Sequence, residues 1–331
     1  MSLYEQNFHQ TDISNDSFLV TGGAGFIGSN IVEYLVHHGA GEVRIMDNLC
    51  EGKFENIANF VDLPNVRFLE FDITNESDCK AACENIDYVT HQAALGSVPR
   101  SIEVPLVTHA ANVTGFLNVI TAAKDAGAKR FVYASSSSVY GDSPVMPKVE
   151  SQIGSLLSPY AVTKYTNEIY ASVFGQCYEL ETVGLRYFNV FGPRQKPDGP
   201  YAAVIPLFMD ALLKNQAPFI NGDGEQSRDF TFVANAVQAN IRGMFTTHSE
   251  ASSKAYNVAF GERATVNQLF HTLKRLTGAT TDPEYREPRA GDVQHSLADI
   301  SRAKEFLDYQ PTTSFEDGLD VTLAWFKKRY G

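Results

Sequence analysis

The sequence FLVTGGAGFIG at residues 18–28 limits what this chain can fold into more than any other feature. A short apolar run leads directly into a glycine cluster, and a helical pattern follows at once. Gly23, Gly25 and Gly28 match the spacing G-x-G-x-x-G, and Gly22 adds the alternative spacing G-x-x-G-x-x-G. Such glycines allow a tight turn, a close backbone approach to a pyrophosphate, and close packing of a helix on a strand. The motif therefore predicts a dinucleotide site at a helix N-terminus, where free N–H groups bind phosphate.

The first two-thirds of the chain alternates short β-branched runs with helical patterns, which is typical of a parallel α/β sheet. Predicted strands lie at 18–21, 43–46, 66–71, 87–91, 131–135 and 182–186. Predicted helices lie at about 26–38, 76–84, 104–126 and 159–177. We expect an α/β fold with a doubly wound parallel sheet of the Rossmann type.

The alternation of apolar runs and helical patterns ends after Asn189. Residues 192–201 (GPRQKPDGPY) contain three prolines and predict a long functional loop. Further elements are predicted as a helix near 203–214, a turn at 221–224, a helix near 233–246 and a strand near 255–259. Residues 1–187, with a returning segment at about 231–260, are expected to form the dinucleotide-binding domain. Residues 188–331 are expected to form a smaller, interleaved C-terminal substrate lobe.

Asp47 ends the second predicted strand, nineteen residues after Gly28, where a carboxylate can bind the adenosine ribose hydroxyls. A carboxylate there repels a 2′-phosphate, so the sequence favours NAD over NADP. Arg44 lies within that strand and is expected to face away from the site. Asp72, at the end of the third strand, is expected near the adenine, and the alternative is that it caps the following helix.

Tyr160 and Lys164 occur as YAVTK at the start of a predicted helix, so both side chains project from one face. An ammonium near a phenol, together with an oxidised nicotinamide, lowers the pKa of the tyrosine from about 10 and makes it a general base for a hydroxyl. Upstream, the serines from Ser135 to Ser138 follow a predicted strand, at the sheet edge where α/β proteins bind ligands. One of these hydroxyls can relay the proton to Tyr160, and the alternative is a serine-rich turn.

With these motifs in order, the chain resembles an extended short-chain dehydrogenase/reductase of the nucleotide-sugar epimerase/dehydratase branch, from about residue 17 to the C-terminus. The resemblance is carried by TGGAGFIG (21–28), DNL (47–49), DI (72–73), HQAA (91–94), Asn112, SSSSVYG (135–141), YAVTK (160–164), RYFNVFGPRQ (186–195), SRDF (227–230) and RAGDV (289–293). It implies a tightly held NAD, with Ser136 and Tyr160 as the proton-transfer pair and Lys164 on the nicotinamide ribose. The NAD-binding residues that it implies are Gly22, Gly25, Phe26, Ile27, Asp47, Asn48, Gly52, Asp72, Ile73, Gln92, Ala93, Ala94, Asn112, Ser135, Tyr160, Lys164 and Tyr187.

The same resemblance implies a UDP-sugar substrate. It places Asn189 near the sugar diphosphate, Arg228 and Arg289 on the diphosphate, and Asp292 on the uridine ribose. A guanidinium suits phosphate because it presents a planar fork of donors, although each arginine could instead form a surface ion pair with a neighbouring aspartate. The substrate-binding residues that the resemblance implies are Ser97, Ser136, Ser137, Tyr160, Asn189, Gln195, Ala203, Val204, Arg228, Arg289, Asp292 and Ser296.

Three positions separate the mechanisms within this branch. The sugar dehydratases that the chain resembles carry Thr-Asp-Glu where it has Ser136, Ser137 and Ser138, and the related decarboxylases keep a glutamate at the position of Ser138. Loss of water needs an acid and a base, which serine does not supply efficiently. The sequence therefore favours an isomerase that performs NAD-dependent C4 epimerisation through a transient 4-keto sugar.

The stretch 192–206 resembles bacterial epimerases that prefer N-acetylated UDP-hexosamines. Where UDP-glucose epimerases of restricted specificity carry a bulky tyrosine, this chain has Ser296, and Ala203 is small too. We therefore expect a UDP-N-acetylglucosamine 4-epimerase that can also act on UDP-glucose. The alternative is a UDP-uronic acid 4-epimerase with Arg194 and Lys196 as cations for the carboxylate. A remote alternative is a non-catalytic NAD-binding regulator, a class that generally lacks the Tyr/Lys pair.

Composition argues against several partners. The chain has 331 residues, with 27 Lys+Arg against 39 Asp+Glu and a formal net charge of −12, so a nucleic-acid or anionic-membrane surface is not expected. Four cysteines are too few for a disulfide framework, and Cys79 and Cys83 lack further ligands for a metal. Residues 1–17 lack the pattern of a signal peptide, so a cytoplasmic location is expected. By resemblance, the helices at 104–126 and 159–177 form a four-helix bundle in a homodimer.

Overall fold

The computed structural model describes residues 3–197, 203–288 and 294–330. Its centre is a seven-stranded sheet formed by β1 (Ser17–Thr21), β2 (Glu42–Met46), β3 (Val66–Leu69), β4 (Tyr88–His91), β5 (Arg130–Ser136), β6 (Thr182–Tyr187) and β7 (Lys254–Val258). The strand order is β7-β6-β5-β4-β1-β2-β3, and every neighbouring pair is parallel. The direction of winding reverses between β1 and β4, so the expected doubly wound, Rossmann-type sheet is confirmed.

Helices cover both faces of the sheet, and the strands between them are buried apolar runs. The helices are α1 (Phe26–His37), α2 (Glu76–Cys83), α3 (Val98–Glu103), α4 (Pro105–His109), α5 (Gly115–Asp125), α6 (Pro159–Tyr178), α7 (Val204–Leu213), α8 (Val233–Phe245), α9 (Val266–Thr277), α10 (Ser301–Leu307) and α11 (Phe315–Tyr330). The helix predicted at 104–126 is divided, because a π-helical turn at Ala110–Thr114 separates α4 from α5. Such turns are often found beside functional sites.

The start of α9 was readable in the sequence but was missed. Thr265 and Gln268 form a capping box, in which each side chain bonds the backbone N–H of the other residue. The residues that line the buried face of α9 recur at helical spacing and are Val266, Leu269, Phe270 and Leu273. The helices α3 and α10 are too short for such a repeat to be visible.

The segment 3–16 packs on α1 and reaches the loop after β6. The Tyr4 hydroxyl donates a hydrogen bond to Asn30 Oδ1 at 2.7 Å, and Asn30 Nδ2 donates to the carbonyl of Pro193 at 3.2 Å. Arg194 forms an ion pair with Glu33 and donates to a backbone carbonyl of α1. The loop that begins the second lobe is therefore tied to the helix that follows the glycine cluster.

The second lobe contains α7, α9, α11 and three short strand pairs. These pairs join Val190–Phe191 to Thr231–Phe232, Ser227–Arg228 to Ala264–Thr265, and Phe219–Asn221 to Glu284–Arg286. The helix α8 then returns to pack on α1, and β7 joins the sheet beside β6. Because the chain crosses between sheet and lobe repeatedly, the two enclose the carboxyl ends of the strands.

Candidate active site

The glycine turn after β1 depends on a backbone contact between Gly22 and Gly28. A Cβ atom on Gly28 would lie 2.2 Å from the Gly22 carbonyl oxygen, and one on Gly22 would lie 2.7 Å from the amide nitrogen of Ala93. Gly22 also has a φ of +66°, which side chains rarely adopt. Of the two glycine spacings, G-x-x-G-x-x-G is therefore the one that the structure requires more strictly. The tight turn leaves the N-terminal turn of α1 open to a phosphate group.

Asp47 anchors this turn to the end of β2. Its Oδ2 accepts a hydrogen bond from the backbone N–H of Ala24 at 3.0 Å, and Oδ1 accepts one from Leu49 at 2.8 Å. Burial raises the pKa of Asp47, although these hydrogen bonds and the charge of Lys196 act against the increase. A Cβ atom on Gly52 would lie 2.8 Å from the carboxylate oxygens, so the glycine keeps one side of Asp47 open.

A cavity of about 860 Å³ extends from the glycine turn along the carboxyl ends of the central strands; we call it the cofactor cavity. It brings together nearly all of the predicted NAD-binding residues. Those that line it are Gly22, Gly25, Phe26, Ile27, Asp47, Asn48, Gly52, Asp72, Ile73, Gln92, Ala93, Ala94, Ser135, Tyr160, Lys164 and Tyr187. The backbone of the glycine turn suits a pyrophosphate, and the buried carboxylate of Asp47 suits a ribose. These residues therefore fit a dinucleotide.

Asn112 is the exception among the predicted NAD-binding residues, because it lies behind the cavity wall. Its Oδ1 accepts from the N–H of Leu95 at 2.8 Å, and its Nδ2 donates to Thr163 and to the Leu95 carbonyl. Asn112 lies in the π-helical turn and therefore positions the segment after β4 against α6. Asn112 is not among the residues that line the cofactor cavity, and its direct contact with NAD stays a prediction.

Asp72 lies where an adenine is expected. Burial raises the pKa of its carboxyl group, but hydrogen bonds from Thr74 and Asn48 outweigh that effect and lower the pKa below its usual value. The alternative that Asp72 caps α2 is wrong, because Asn75 is the N-cap and accepts from the N–H of Ser77. Asp72 is therefore a charged acceptor at the wall of the cofactor cavity.

Two other charged or titratable strand residues lie away from the cavity. Arg44 donates to the carbonyls of Ala82 and Glu84, so it faces away as expected. His91 forms a hydrogen bond with Thr21 Oγ1 at 2.9 Å, and burial lowers its pKa to about 3. His91 is therefore a neutral side chain in the core with a structural role.

Tyr160 and Lys164 lie in the first two turns of α6, which Ser158 caps. The Lys164 ammonium is buried, donates to the carbonyl of Ala134 at 2.9 Å, and lies 6.0 Å from the centre of the Tyr160 ring. Burial lowers the pKa of Lys164 to about 8. Burial raises the pKa of Tyr160 above 10, and only the hydrogen bond with Ser136 lowers it. Within the protein alone, burial therefore outweighs the hydrogen bond, and the acidic phenol, which also requires an oxidised nicotinamide, stays a prediction.

The serine run crosses the end of β5 and has three distinct environments. Ser135 donates a hydrogen bond to Glu168, which forms a buried ion pair with Arg186. Ser136 lines the cofactor cavity beside Tyr160, and its Oγ accepts from the N–H of Ser138 at 3.1 Å. Ser137 also lines the cavity, whereas the buried Ser138 hydroxyl has no partner within the described part of the chain.

A second cavity, of about 330 Å³, shares Asn189 and Val190 with the first. It brings together five predicted substrate-binding residues, which are Asn189, Gln195, Ala203, Val204 and Arg228. Asn189 holds a φ of +36° and donates to the carbonyl of Asp229 at 3.0 Å. A non-glycine residue in this region of backbone space is strained, and such residues cluster at ligand sites.

Two further predicted substrate residues, Ser97 and Ser296, line neither cavity. Ser97 caps α3 by accepting from the N–H of Arg100 at 3.1 Å. Ser296 donates from its backbone N–H to the carbonyl of Ser227 at 3.0 Å, beside Arg228. Arg289 and Asp292 lie outside the described residues.

Phe219 is a residue of the second cavity that sequence reasoning missed. Its ring is half exposed, and the Arg286 guanidinium lies 3.0 Å from the ring centre. An aromatic face of this kind can stack on a nucleobase. The signal in the sequence is the apolar pair Phe219–Ile220. This pair directly precedes the turn predicted at 221–224, and no strand was predicted there.

Cys79 and Cys83 are buried on the core face of α2, and burial raises the pKa of both thiols to about 12. Within residues 3–197, 203–288 and 294–330, no group of three or more potential metal ligands lies together.

The fold and the cofactor cavity define a dinucleotide-dependent enzyme, and a tyrosine–lysine pair lines that cavity. The chain belongs to the NAD-dependent epimerase/dehydratase family, whose model matches residues 18–259, and its cofactor is NAD.

Solved structures and relatives narrow the class further. A UDP-N-acetylglucosamine 4-epimerase from Methanobrevibacter ruminantium M1, in complex with UDP-N-acetylmuramic acid, is 41% identical with a TM-score of 0.90, over 95% of this chain and 99% of that one. A UDP-glucose 4-epimerase from Thermotoga maritima, with UDP-glucose, is 37% identical with a TM-score of 0.89, over 95% and 100%. A UDP-glucuronate 4-epimerase from Thermodesulfobacterium geofontis is 34% identical over 94% of this chain and 96% of its own. The chain is therefore similar to UDP-sugar 4-epimerases.

Proposed function

We propose that this protein interconverts UDP-N-acetylglucosamine and UDP-N-acetylgalactosamine at C4, and that it also acts on UDP-glucose and UDP-galactose. The observation that carries the proposal is the position of Tyr160, Lys164 and Ser136 in a cavity that shares Asn189 with the second cavity. A nucleotide in the second cavity can therefore present the 4-hydroxyl of its sugar to Tyr160.

Tyr160 is the general base of this proposal. Its phenolate accepts the proton of the 4-hydroxyl through the hydroxyl of Ser136, which lines the cavity beside Tyr160 and holds the sugar oxygen. The residues of the cofactor cavity would hold NAD, which would supply the hydride acceptor and donor for C4 and a positive ring charge that favours the phenolate. Lys164 lines the cavity with its ammonium and fixes α6 to β5. Tyr160 then returns the proton to the sugar oxygen.

The serine run supports epimerisation rather than dehydration. Ser136 and Ser137 line the cofactor cavity, and neither can act as a carboxylate acid or base for loss of water. The nearby carboxylate of Glu168 is not available either, because it is buried behind Ser135 and paired with Arg186. Neither the serine run nor Glu168 therefore offers a free carboxylate for loss of water from the 4-keto sugar.

The surroundings of the second cavity favour a neutral sugar over a uronic acid. Arg194, a candidate cation for the sugar carboxylate, is paired with Glu33 and lines neither cavity. Ala203 is small and exposed at the second cavity, where it leaves room for an acetamido group. The similarity to the M. ruminantium UDP-N-acetylglucosamine 4-epimerase supports the same substrate.

The test is to incubate the purified protein, without added NAD, with UDP-N-acetylglucosamine, UDP-glucose and UDP-glucuronic acid in separate reactions. Proton NMR is expected to show the C4 epimer of the first two sugars. Tyr160→Phe, which removes only the hydroxyl, is the matched control and is expected to lose about 10²- to 10⁴-fold in rate. If only UDP-glucuronic acid were converted, the substrate would be a UDP-uronic acid and not the proposed N-acetylated sugar. Inactivity with all three sugars, or full activity of Tyr160→Phe, would reject the proposed chemistry and favour the non-catalytic regulator.

We also propose that the protein is a homodimer through a four-helix bundle. Exposed apolar residues lie on α3, α4 and α6, and they include Ile102, Leu106, Val107, Val162 and Ile169. The stretch Pro105–Asp125 has the length and mean hydropathy of a membrane span, but half of it is buried in the fold, as in a core helix. A second copy of the chain would cover the exposed apolar residues of these helices. Light scattering is expected to give twice the mass of 36.5 kDa, and a monomer mass would reject the dimer.

A further inference from the structure

Glu51 and Arg100 join the two rims of the cofactor cavity. Glu51 follows β2 and lines the cavity, whereas Arg100 lies on α3, which follows β4. Arg100 Nη1 lies 2.7 Å from Glu51 Oε1, and the two side chains are 23% and 48% exposed. The ion pair therefore connects segments that are far apart in the chain.

The sheet order shows what this ion pair spans. The strands β2 and β4 are the two neighbours of β1, so the segments that follow them lie on either side of the glycine turn. Adjacent strands are about 4.8 Å apart, so the two rims are separated by about 10 Å at the sheet. The cavity measures about 860 Å³ with the pair formed, which leaves room for a dinucleotide between the rims.

We propose that the Glu51–Arg100 ion pair is a latch that slows the release of NAD. A dinucleotide seated on the glycine turn lies between the two rims, so the pair must open before the cofactor leaves. The latch contributes to the lifetime of the complex and takes no part in proton transfer. The proposal concerns cofactor release and holds whichever UDP-sugar is the substrate.

The exposure of the pair sets the size of the effect. A partly exposed ion pair contributes little, so breaking the latch is expected to raise the NAD dissociation rate about two- to fivefold. Salt screens such a pair, with a Debye length of about 8 Å at physiological ionic strength. Part of the salt dependence of NAD release should therefore disappear when the pair is removed.

The experiment measures NAD release from the purified holoprotein, with an excess of a second NAD-dependent dehydrogenase and its substrate as the trap. The variants are Glu51→Gln, Arg100→Met, the double variant Glu51→Gln/Arg100→Met, and the charge exchange Glu51→Arg/Arg100→Glu. Lys274→Met is the matched control, because it removes a 2.6 Å ion pair with Asp282 in the second lobe. Circular dichroism checks that each variant is folded.

If the ion pair is a latch, both single variants release NAD faster than the wild type, and the double variant releases it no faster than the single variants. The charge exchange releases NAD more slowly than the single variants, because it restores an ion pair. Lys274→Met releases NAD at the wild-type rate. Direct contact of Glu51 with NAD would instead accelerate release in Glu51→Gln alone, and this would overturn the proposal. Unchanged rates in both single variants, or increases that multiply in the double variant, would overturn it too.

Discussion

Lys164 donates a hydrogen bond from its buried ammonium to the carbonyl oxygen of Ala134, 2.9 Å away. Ala134 lies two residues before Ser136, so this bond ties the helix that carries Tyr160 to the strand that ends in the serine. Hydrogen bonds from charged donors are among the strongest in proteins. The relative position of Ser136 and Tyr160, the two residues proposed to transfer the proton, therefore depends on Lys164.

The same burial predicts a pH-dependent stability. The pKa of Lys164 falls from 10.5 to about 8 in the folded protein, so between these pH values the unfolded chain binds more protons and stability rises with pH. Lys164→Met removes this contribution. The stability of the variant relative to the wild type should therefore decrease by about 3 kcal/mol from pH 7 to pH 10.5. Denaturant unfolding of both NAD-free proteins measures the difference, and a constant difference would mean that Lys164 keeps its usual pKa.

Gly28→Ala tests the backbone contact of the glycine turn. The added Cβ would lie 2.2 Å from the Gly22 oxygen, and neither backbone segment can move away without opening the turn. We expect a loss of about 2–3 kcal/mol in the free energy of unfolding and at least 100-fold weaker NAD binding, measured by denaturant unfolding and calorimetry. Gly96→Ala is the control for stability, because a Cβ there meets no heavy atom within 4 Å. Equal stability of the two variants would contradict the geometry.

The parts of the fold that could be predicted are those that are local in the sequence. Six strands and the first helix were predicted to within one residue, because their apolar runs and the glycine cluster are contiguous. The third strand was predicted too long, since the N–H of Phe71 turns back to the carbonyl of Leu69 and ends the ladder. The break at Ala110–Thr114 depends on the bonds from Asn112 to Leu95, which no local pattern reveals.

The same distinction holds for the site. The residues that line the cofactor cavity could be found from the sequence, because they lie in short motifs at the ends of strands, and their contacts with NAD stay predictions. The second cavity was predicted in part, since Phe219 reaches it through a two-stranded pair whose other strand, Glu284–Arg286, is more than sixty residues away. A pairing so short has no periodicity, so only the folded chain shows it.

Arg186→Met tests the buried network behind Ser135. Arg186 Nη2 lies 2.7 Å from Glu168 Oε2, and both side chains are less than 10% exposed. Removal of the arginine leaves a buried, uncompensated carboxylate, so we expect a loss of about 3–5 kcal/mol in the free energy of unfolding. The double variant Arg186→Met/Glu168→Leu should recover most of this loss. Lys80→Met, which breaks an exposed ion pair with Glu76, should change stability by less than about 0.5 kcal/mol.

Ser296→Tyr tests the proposed preference for an N-acetylated sugar. The backbone of Ser296 is fixed by its bond to Ser227, directly beside Arg228 of the second cavity, so a larger side chain extends from a defined point. We expect a tyrosine there to occupy the space of the 2-acetamido group and to lower kcat/KM for UDP-N-acetylglucosamine by about 100-fold or more, with a change of only a few-fold for UDP-glucose. Ser296→Ala, which adds no volume, is the control and should leave both values within a few-fold. If Ser296→Tyr turned over both sugars like the wild type, Ser296 would not limit the size of the 2-substituent, and the preference would have to come from the loop that contains Ala203.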